Sequence, residues 1–286
     1  MRAEELLKEG DLSGALQALQ DAVRKSPADA KLRIFLFQLL TVSGDWKRAI
    51  TQLKVCAEMD ETATTMAQSY REGIICEVYR QKVFSGEKEP LIFGEPAEWV
   101  ALLIEALKIQ AAGKIEEAAS LRMKAFEDAP TSSGTINGEA FEWIADADSR
   151  LGPVLEIIVN GRYFWAPFAT IHKIVIEPPT DLRDRVWTPA QVTWSNGGDV
   201  VAFIPTRYAG TDENGDDAQK LARATDWSDL GSDTFAGLGQ RLLATDQSDY
   251  ALMDVREVVI GDPPEVPEVD MDGALDDAPA EAEDNG

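Results

Sequence analysis

Few residues in this chain could carry chemistry. There is one histidine, His172. A triad or a zinc cluster built on imidazole therefore has one candidate donor, with no second histidine and only distant cysteines to join it. His172 opens a run of β-forming residues, which points to a structural role. Carboxylates pair at short spacing twice, in Asp146/Asp148 and Asp181/Asp184. Such pairs could do general acid–base work if burial raised one pKa. Arg150, Arg183 and Arg185 are interleaved with them, which favours structural ion pairs. Two acidic stretches imitate a calcium loop. The one from Glu268 reaches its twelfth position at Pro279, and Asp212-Glu213-Asn214-Gly215 fails likewise at Leu221. Neither position supplies the bidentate carboxylate that such a loop needs. Gly237-Leu238-Gly239 is a fragment of a phosphate loop without the strand-to-helix crossover around it. Trp165, Trp187, Trp194 and Trp227 read as core or interface anchors rather than a ligand cage. No catalytic, cofactor-binding or metal-ligating set is expected.

The elements that would position these residues fall into two kinds. Gly10, Gly44 and Gly113 each open the pattern G-x4-A-x3-[LR]-x2-[AC]-x4-[PE], through Ala15/Leu19/Ala22/Pro27, Ala49/Leu53/Cys56/Glu61 and Ala118/Arg122/Ala125/Pro130. The first two copies start 34 residues apart and the third 69 after the second (44 minus 10; 113 minus 44). A left-handed glycine ends one helix, small alanines let the next pack closely, and a proline stops it. That is the mechanics of a tetratricopeptide-like hairpin, whose groove binds peptides or helices. Thr62 to Phe84 reads as one long helix. Gly86, Pro90, Gly94 and Pro96 break the chain before a helix over Trp99 to Gln110. A last short helix is expected over Glu139 to Arg150.

After Gly152-Pro153 the period changes from 3.6 to 2. Leu155 to Val159, Asn160-Gly161 and Arg162 to Trp165 form a hairpin, because a type I′ turn needs positive φ at both turn residues. Val192 to Trp194 and Val200 to Ile204 form a second one around Ser195-Asn196-Gly197-Gly198. Strands are also expected at His172 to Ile176, Lys220 to Thr225, Gln240 to Ala244 and Ala251 to Ile260. From Asp262 the chain has ten acidic residues, no basic ones and four prolines. Such a segment cannot offset its ordering entropy, so a disordered tail is expected. The reading is therefore α+β. It comprises tetratricopeptide-like repeats over 1–130, a connecting segment and helix over 131–153, a compact antiparallel barrel-like or sandwich-like β domain over 154–261, and the tail over 262–286.

The formal net charge of -24 disfavours nucleic acid and anionic membrane surfaces and favours a basic protein partner. No apolar run approaches the roughly 20 residues of a membrane span. Met1 to Glu5 lacks the apolar core of a secretory signal. Cys56 and Cys76 fit buried thiols in a reducing compartment, and the cytoplasm is expected.

The second half resembles the ImpE/TagJ family of type VI secretion accessory proteins. The resemblance rests on Phe141 to Pro153, on Asn160-Gly161-Arg162-Tyr163, and on Leu182-Arg183-Asp184 with Trp187-Thr188-Pro189-Ala190. It also rests on Phe203-Ile204-Pro205 with Tyr208, Thr225-Asp226-Trp227 and Gly237-Leu238-Gly239-Gln240. Within these motifs and near them, Trp143, Asp146, Asp148, Arg150, Asn160, Gly161, Tyr163, Trp165, Arg183, Asp184, Trp187 and Trp227 are expected to be structural. The resemblance implies a non-enzymatic cytoplasmic adaptor without a cofactor, bridging a helix of the sheath small subunit (TssB-like) and the ClpV-like AAA+ ATPase. From the repeats, a partner helix is expected to lie against Arg33, Phe37 and Leu40. The rival reading is a small-molecule-binding or hydrolytic β domain using Asp146, Asp148, Asp181 or Asp184.

Overall fold

Each repeat glycine ends a helix as its spacing demands. Gly10, Gly44 and Gly113 take φ of 87°, 77° and 83°. The computed structural model describes residues 1–95 and 97–261. The tail expected after Asp262 and the break at Pro96 lie outside the described residues. The helices are α1 (Arg2–Glu9), α2 (Leu12–Lys25), α3 (Ala30–Val42), α4 (Trp46–Met59) and α5 (Thr64–Phe84). After β1 (Leu91–Ile92) come α6 (Glu98–Ala111) and α7 (Ile115–Asp128). The three helices that follow the glycines, α2, α4 and α7, are each 14 residues long. Asp11 and Asp45 cap α2 and α4 by accepting from the amides of Gly14 and Arg48, which satisfies donors the helix itself cannot.

The chain then turns to strands: β2 (Gly134–Ile136), β3 (Glu139–Phe141), β4 (Ile144–Asp146), β5 (Val154–Val159), β6 (Arg162–Pro167), β7 (Ile171–Val175), β8 (Trp187–Trp194) and β9 (Asp199–Pro205). Two one-turn helices, α8 (Thr211–Asn214) and α9 (Asp217–Lys220), precede β10 (Thr225–Asp229), β11 (Phe235–Gly239), β12 (Leu242–Thr245), β13 (Asp249–Ala251) and β14 (Glu257–Ile260). Nine strands form one sheet in the order β1-β6-β5-β9-β8-β7-β14-β2-β3. Its pairs are antiparallel except β1 with β6. A three-stranded sheet, β13-β12-β4, and the hairpin β10-β11 complete the β half. Asn160 and Gly161 have φ of 49° and 69°, the turn their sequence requires.

Two expectations are corrected. Glu139 to Arg150 is not a helix. It contains β3 and β4, paired to β2 and β12, and Phe141 and Ile144, one on each strand, enter the inner core of the β half. Lys220 to Thr225 is not a strand. Asp216 and Gln219 form a reciprocal capping box that starts α9.

β5 is buried on both faces, whereas Pro189 and Gln191 of β8 and Val201 of β9 stay exposed. Val154 and Ile158 belong to the apolar cluster shared with the helices, whereas Leu155, Ile157 and Val159 belong to the inner core of the β half. The period of 2 assigns alternate residues to the two sides. Tyr163, Trp165 and Trp187 likewise join the helical cluster, so helices and sheet share a core.

Candidate functional site: the helix–sheet seam and two open clefts

α5 places Glu77 and Arg80 one turn apart on the side facing the sheet. The Nε and Nη2 of Arg80 donate to the two carboxylate oxygens of Glu156 at 2.5 and 2.7 Å, and Nη2 also donates to the carbonyl of Arg207 at 2.9 Å. Glu156 accepts in addition from the Tyr163 hydroxyl and from Arg241. Arg241 reaches on to Asp146, and its Nε donates to the Pro205 carbonyl. Asp146 accepts from the amide of Asp148, while Asp148 accepts from Arg150 and from the amide of Gly237. Trp187 donates Nε1 to Glu77, and Arg207 donates to the carbonyls of Val42 and Lys220.

Burial works to raise the Glu156 pKa, but the guanidiniums of Arg80 and Arg241, with their hydrogen bonds, overcome it and hold it at about 2. Asp146 is different. Burial, together with the neighbouring Asp148, outweighs Arg241 and pushes it up to about 7. A raised carboxylate in a cleft would be a candidate acid. Here the acids are enclosed among arginines, and the cavity beside Arg80 and Glu77 holds about 10 Å³, room for roughly one water. Asp146 and Asp148, the first acidic pair of the rival hydrolytic reading, are 3% and 0% exposed.

The second acidic pair lies apart. Asp184 accepts from the amides of Thr180 and Asp181, and Asp181 pairs with Arg183 and Gln38. His172 donates Nδ1 to the Ile260 carbonyl. Asp212 accepts from Trp46 and Gln81, so that acidic stretch ties the sheet half to α4 and α5. Gly237 lies on β11 and not in a loop, where an added Cβ would meet the Tyr208 ring at 2.2 Å. Among the described residues, no group of three or more His, Cys, Asp or Glu could hold a metal ion.

The partner groove expected at Arg33, Phe37 and Leu40 is corrected. Phe37 and Leu40 are 0% exposed. The Phe37 ring meets Tyr70 at 5.6 Å, and Tyr70 meets Trp187 and Phe203 at 5.7 and 5.2 Å, with Arg183 over its face at 4.5 Å. The face of α3 that carries Phe37 is thus covered by Tyr70 of α5 and, through it, by the chain's own sheet. Arg33 instead donates to the Pro27 carbonyl and to Gln52 on α4. Trp143 and Trp227 stand partly exposed, while Trp165 and Trp187 are sealed in the seam.

Two larger clefts stay open. One, of about 460 Å³, lies between α1, α3 and Thr180–Leu182, lined by Leu7, Leu32, Ile34, Phe35 and Leu182 with Lys31 at its edge. The other, of about 640 Å³, lies along α7 against Ser149 and Ser232–Thr234.

Sequence reasoning missed Glu77, Arg80, Glu156, Arg207 and Arg241. Glu156 did carry a signal, as a lone charge within the apolar run Val154–Val159; a fully buried strand tolerates such a charge only when it is paired.

Fold and seam together define a helical-repeat protein packed against its own β half through a shared core. Comparison with known proteins agrees. Residues 138–259 match the ImpE protein family, and residues 6–62 match a tetratricopeptide repeat. The chain is 52% identical over 258 residues, 90% of each chain, to the "Type VI secretion system accessory component TagJ" of Pseudomonas aeruginosa. The crystal structure of protein VPA1032 from Vibrio parahaemolyticus is similar with a TM-score of 0.84 at 26% identity, covering 92% of this chain and 98% of that one. The chain belongs to the ImpE/TagJ family.

Proposed function

We propose that this protein is an accessory component of a type VI secretion system, acting in the cytoplasm as an adaptor for the sheath small subunit and the ClpV-like ATPase. The observation that carries the accessory role is its 52% identity, over 90% of both chains, to a protein of that name. The open cleft between α1 and α3 supports adaptor work. Its Leu32, Ile34, Phe35 and Leu182 side chains suit the apolar anchors of a partner helix. Two unpaired buried thiols suit a reducing compartment. Among the described residues, no helix is long and apolar enough to cross a membrane.

Titration calorimetry with the purified sheath small subunit and the ATPase N-domain tests this reading. Binding of one or both is expected, and Phe35→Glu should weaken binding at the cleft by about tenfold or more. Failure of the intact chain to bind either protein would overturn the adaptor role.

A further inference from the structure

The third repeat breaks its own pattern at one position. Where α2 and α4 bury Leu19 and Leu53, α7 buries Arg122, which is 4% exposed. Its guanidinium donates to Thr234 at 2.8 Å and to Gln110, both neutral, and its Nε has no hydrogen-bond partner. Burial lowers its pKa, as expected for a cation without a bonded carboxylate. Two of the three repeats place a leucine here, so the repeat pattern itself does not call for a charge. Arg122 forms the floor of the 640 Å³ cleft along α7.

The rest of that cleft is equally unusual. α7 follows the third repeat glycine, and ends of helical-repeat arrays are usually capped by polar faces. Here Ala119, Met123 and Phe126 form a stripe at helical spacing, with Met123 62% exposed. Glu116, Glu127 and Asp233 rim the stripe. The surface is thus apolar along its length, negative at its edges and positive at its floor.

We infer that this cleft is a second docking surface, distinct from the α1–α3 cleft, for the C-terminal end of an amphipathic helix on a partner protein whose last turn carries Lys or Arg. Such a helix fits all three features. Its apolar face covers Met123 and Phe126, its basic side chains meet Glu116, Glu127 and Asp233, and the negative end of its dipole faces Arg122. Charge complementarity selects this occupant over an acidic segment, which the rim repels.

A labelled amphipathic peptide of about 18 residues, with leucines on one face and lysines in the last turn, tests the assignment by fluorescence anisotropy on the intact chain. Met123→Ser and Glu116→Lys should each weaken binding about tenfold, while Val201→Ser, at an exposed apolar residue on β9, should not. Arg122→Leu should keep or raise the melting temperature and still weaken the peptide. Equal binding by a peptide with glutamates in place of the lysines would sink the proposal, as would unchanged affinity in Met123→Ser. Two further results would assign the cleft to another occupant and overturn it: a dimer that Met123→Ser dissociates, or peptide binding seen only after removal of residues 262–286. None of these outcomes depends on the α1–α3 cleft, so Phe35→Glu should leave this peptide's affinity unchanged.

Discussion

The two faces of the nine-stranded sheet are built on opposite principles. The inner face is apolar, with Leu155, Ile157, Val192, Ile204 and Val258 in one core with Leu243 of β12, and Trp194 stacked on Phe93 at 3.6 Å between ring centres. The outer face meets the helices through an apolar cluster laced with fully buried ions, among them Arg80, Glu156, Arg241 and Asp146. Hydrophobic packing holds any two greasy surfaces together and tolerates sliding. A buried carboxylate gripped by two arginines does not, because a shift strands a charge. The inner face supplies cohesion, and the outer face fixes where the helices sit.

Substitutions can break that contrast. Glu156→Gln leaves two buried guanidiniums without their shared anion and should lower the unfolding free energy by about 3–5 kcal/mol in a urea titration. Leu243→Ala, in the core beneath the inner face, opens a cavity and should cost about 2–4 kcal/mol. The pH response separates the two. With Glu156 at about 2 when folded, against roughly 4.3 unfolded, its stabilisation is complete above that unfolded value and fades as pH falls towards 2. Asp146, at about 7 when folded, has the opposite sign. Its contribution is full below roughly 3.9 and is lost as pH rises through 7. Melting temperatures across pH should therefore lose their acid limb in Glu156→Gln and flatten between about pH 4 and 7 in Asp146→Asn, while Leu243→Ala keeps the parent shape.

The repeat glycines give a smaller form of the same test. Gly44 and Gly113 are both left-handed, but a Cβ at Gly44 would sit 2.7 Å from that of Asp212 in the β half, whereas one at Gly113 would meet nothing within 4 Å. Gly113→Ala should cost about 1 kcal/mol for its conformation alone, and Gly44→Ala clearly more. Equal costs would mean that the seam yields more readily than its packing implies.

The locally encoded parts of this architecture were legible in the sequence. Gly10, Gly44 and Gly113 announced the helix ends, and Asn160-Gly161 announced the first hairpin, since each conformation depends on a few neighbouring residues. The segment around Trp143 misled because its apolar spacing suits a short helix, while its structure is decided by pairing with β2 and β12. Phe37 and Leu40 look the same in sequence whether they face a partner or the chain's own Tyr70. The seam stayed hidden for a related reason. Asp146 was readable beside Arg150, yet its arginine is Arg241, 95 residues away, and no periodicity reports so distant a partner.

Distance along the chain also matters while the protein is being made. Arg80 waits 76 residues for Glu156, and Glu156 a further 85 for Arg241. A ribosome working from the N-terminus completes all seven long helices before any of that counter-charge emerges. Until then Phe37, Tyr70 and Ile74 have no sheet to cover them, and the nascent helices display the kind of sticky surface that chaperones hold. Maturation should therefore come late and in one step, as the last strands of the β half close over the waiting helices.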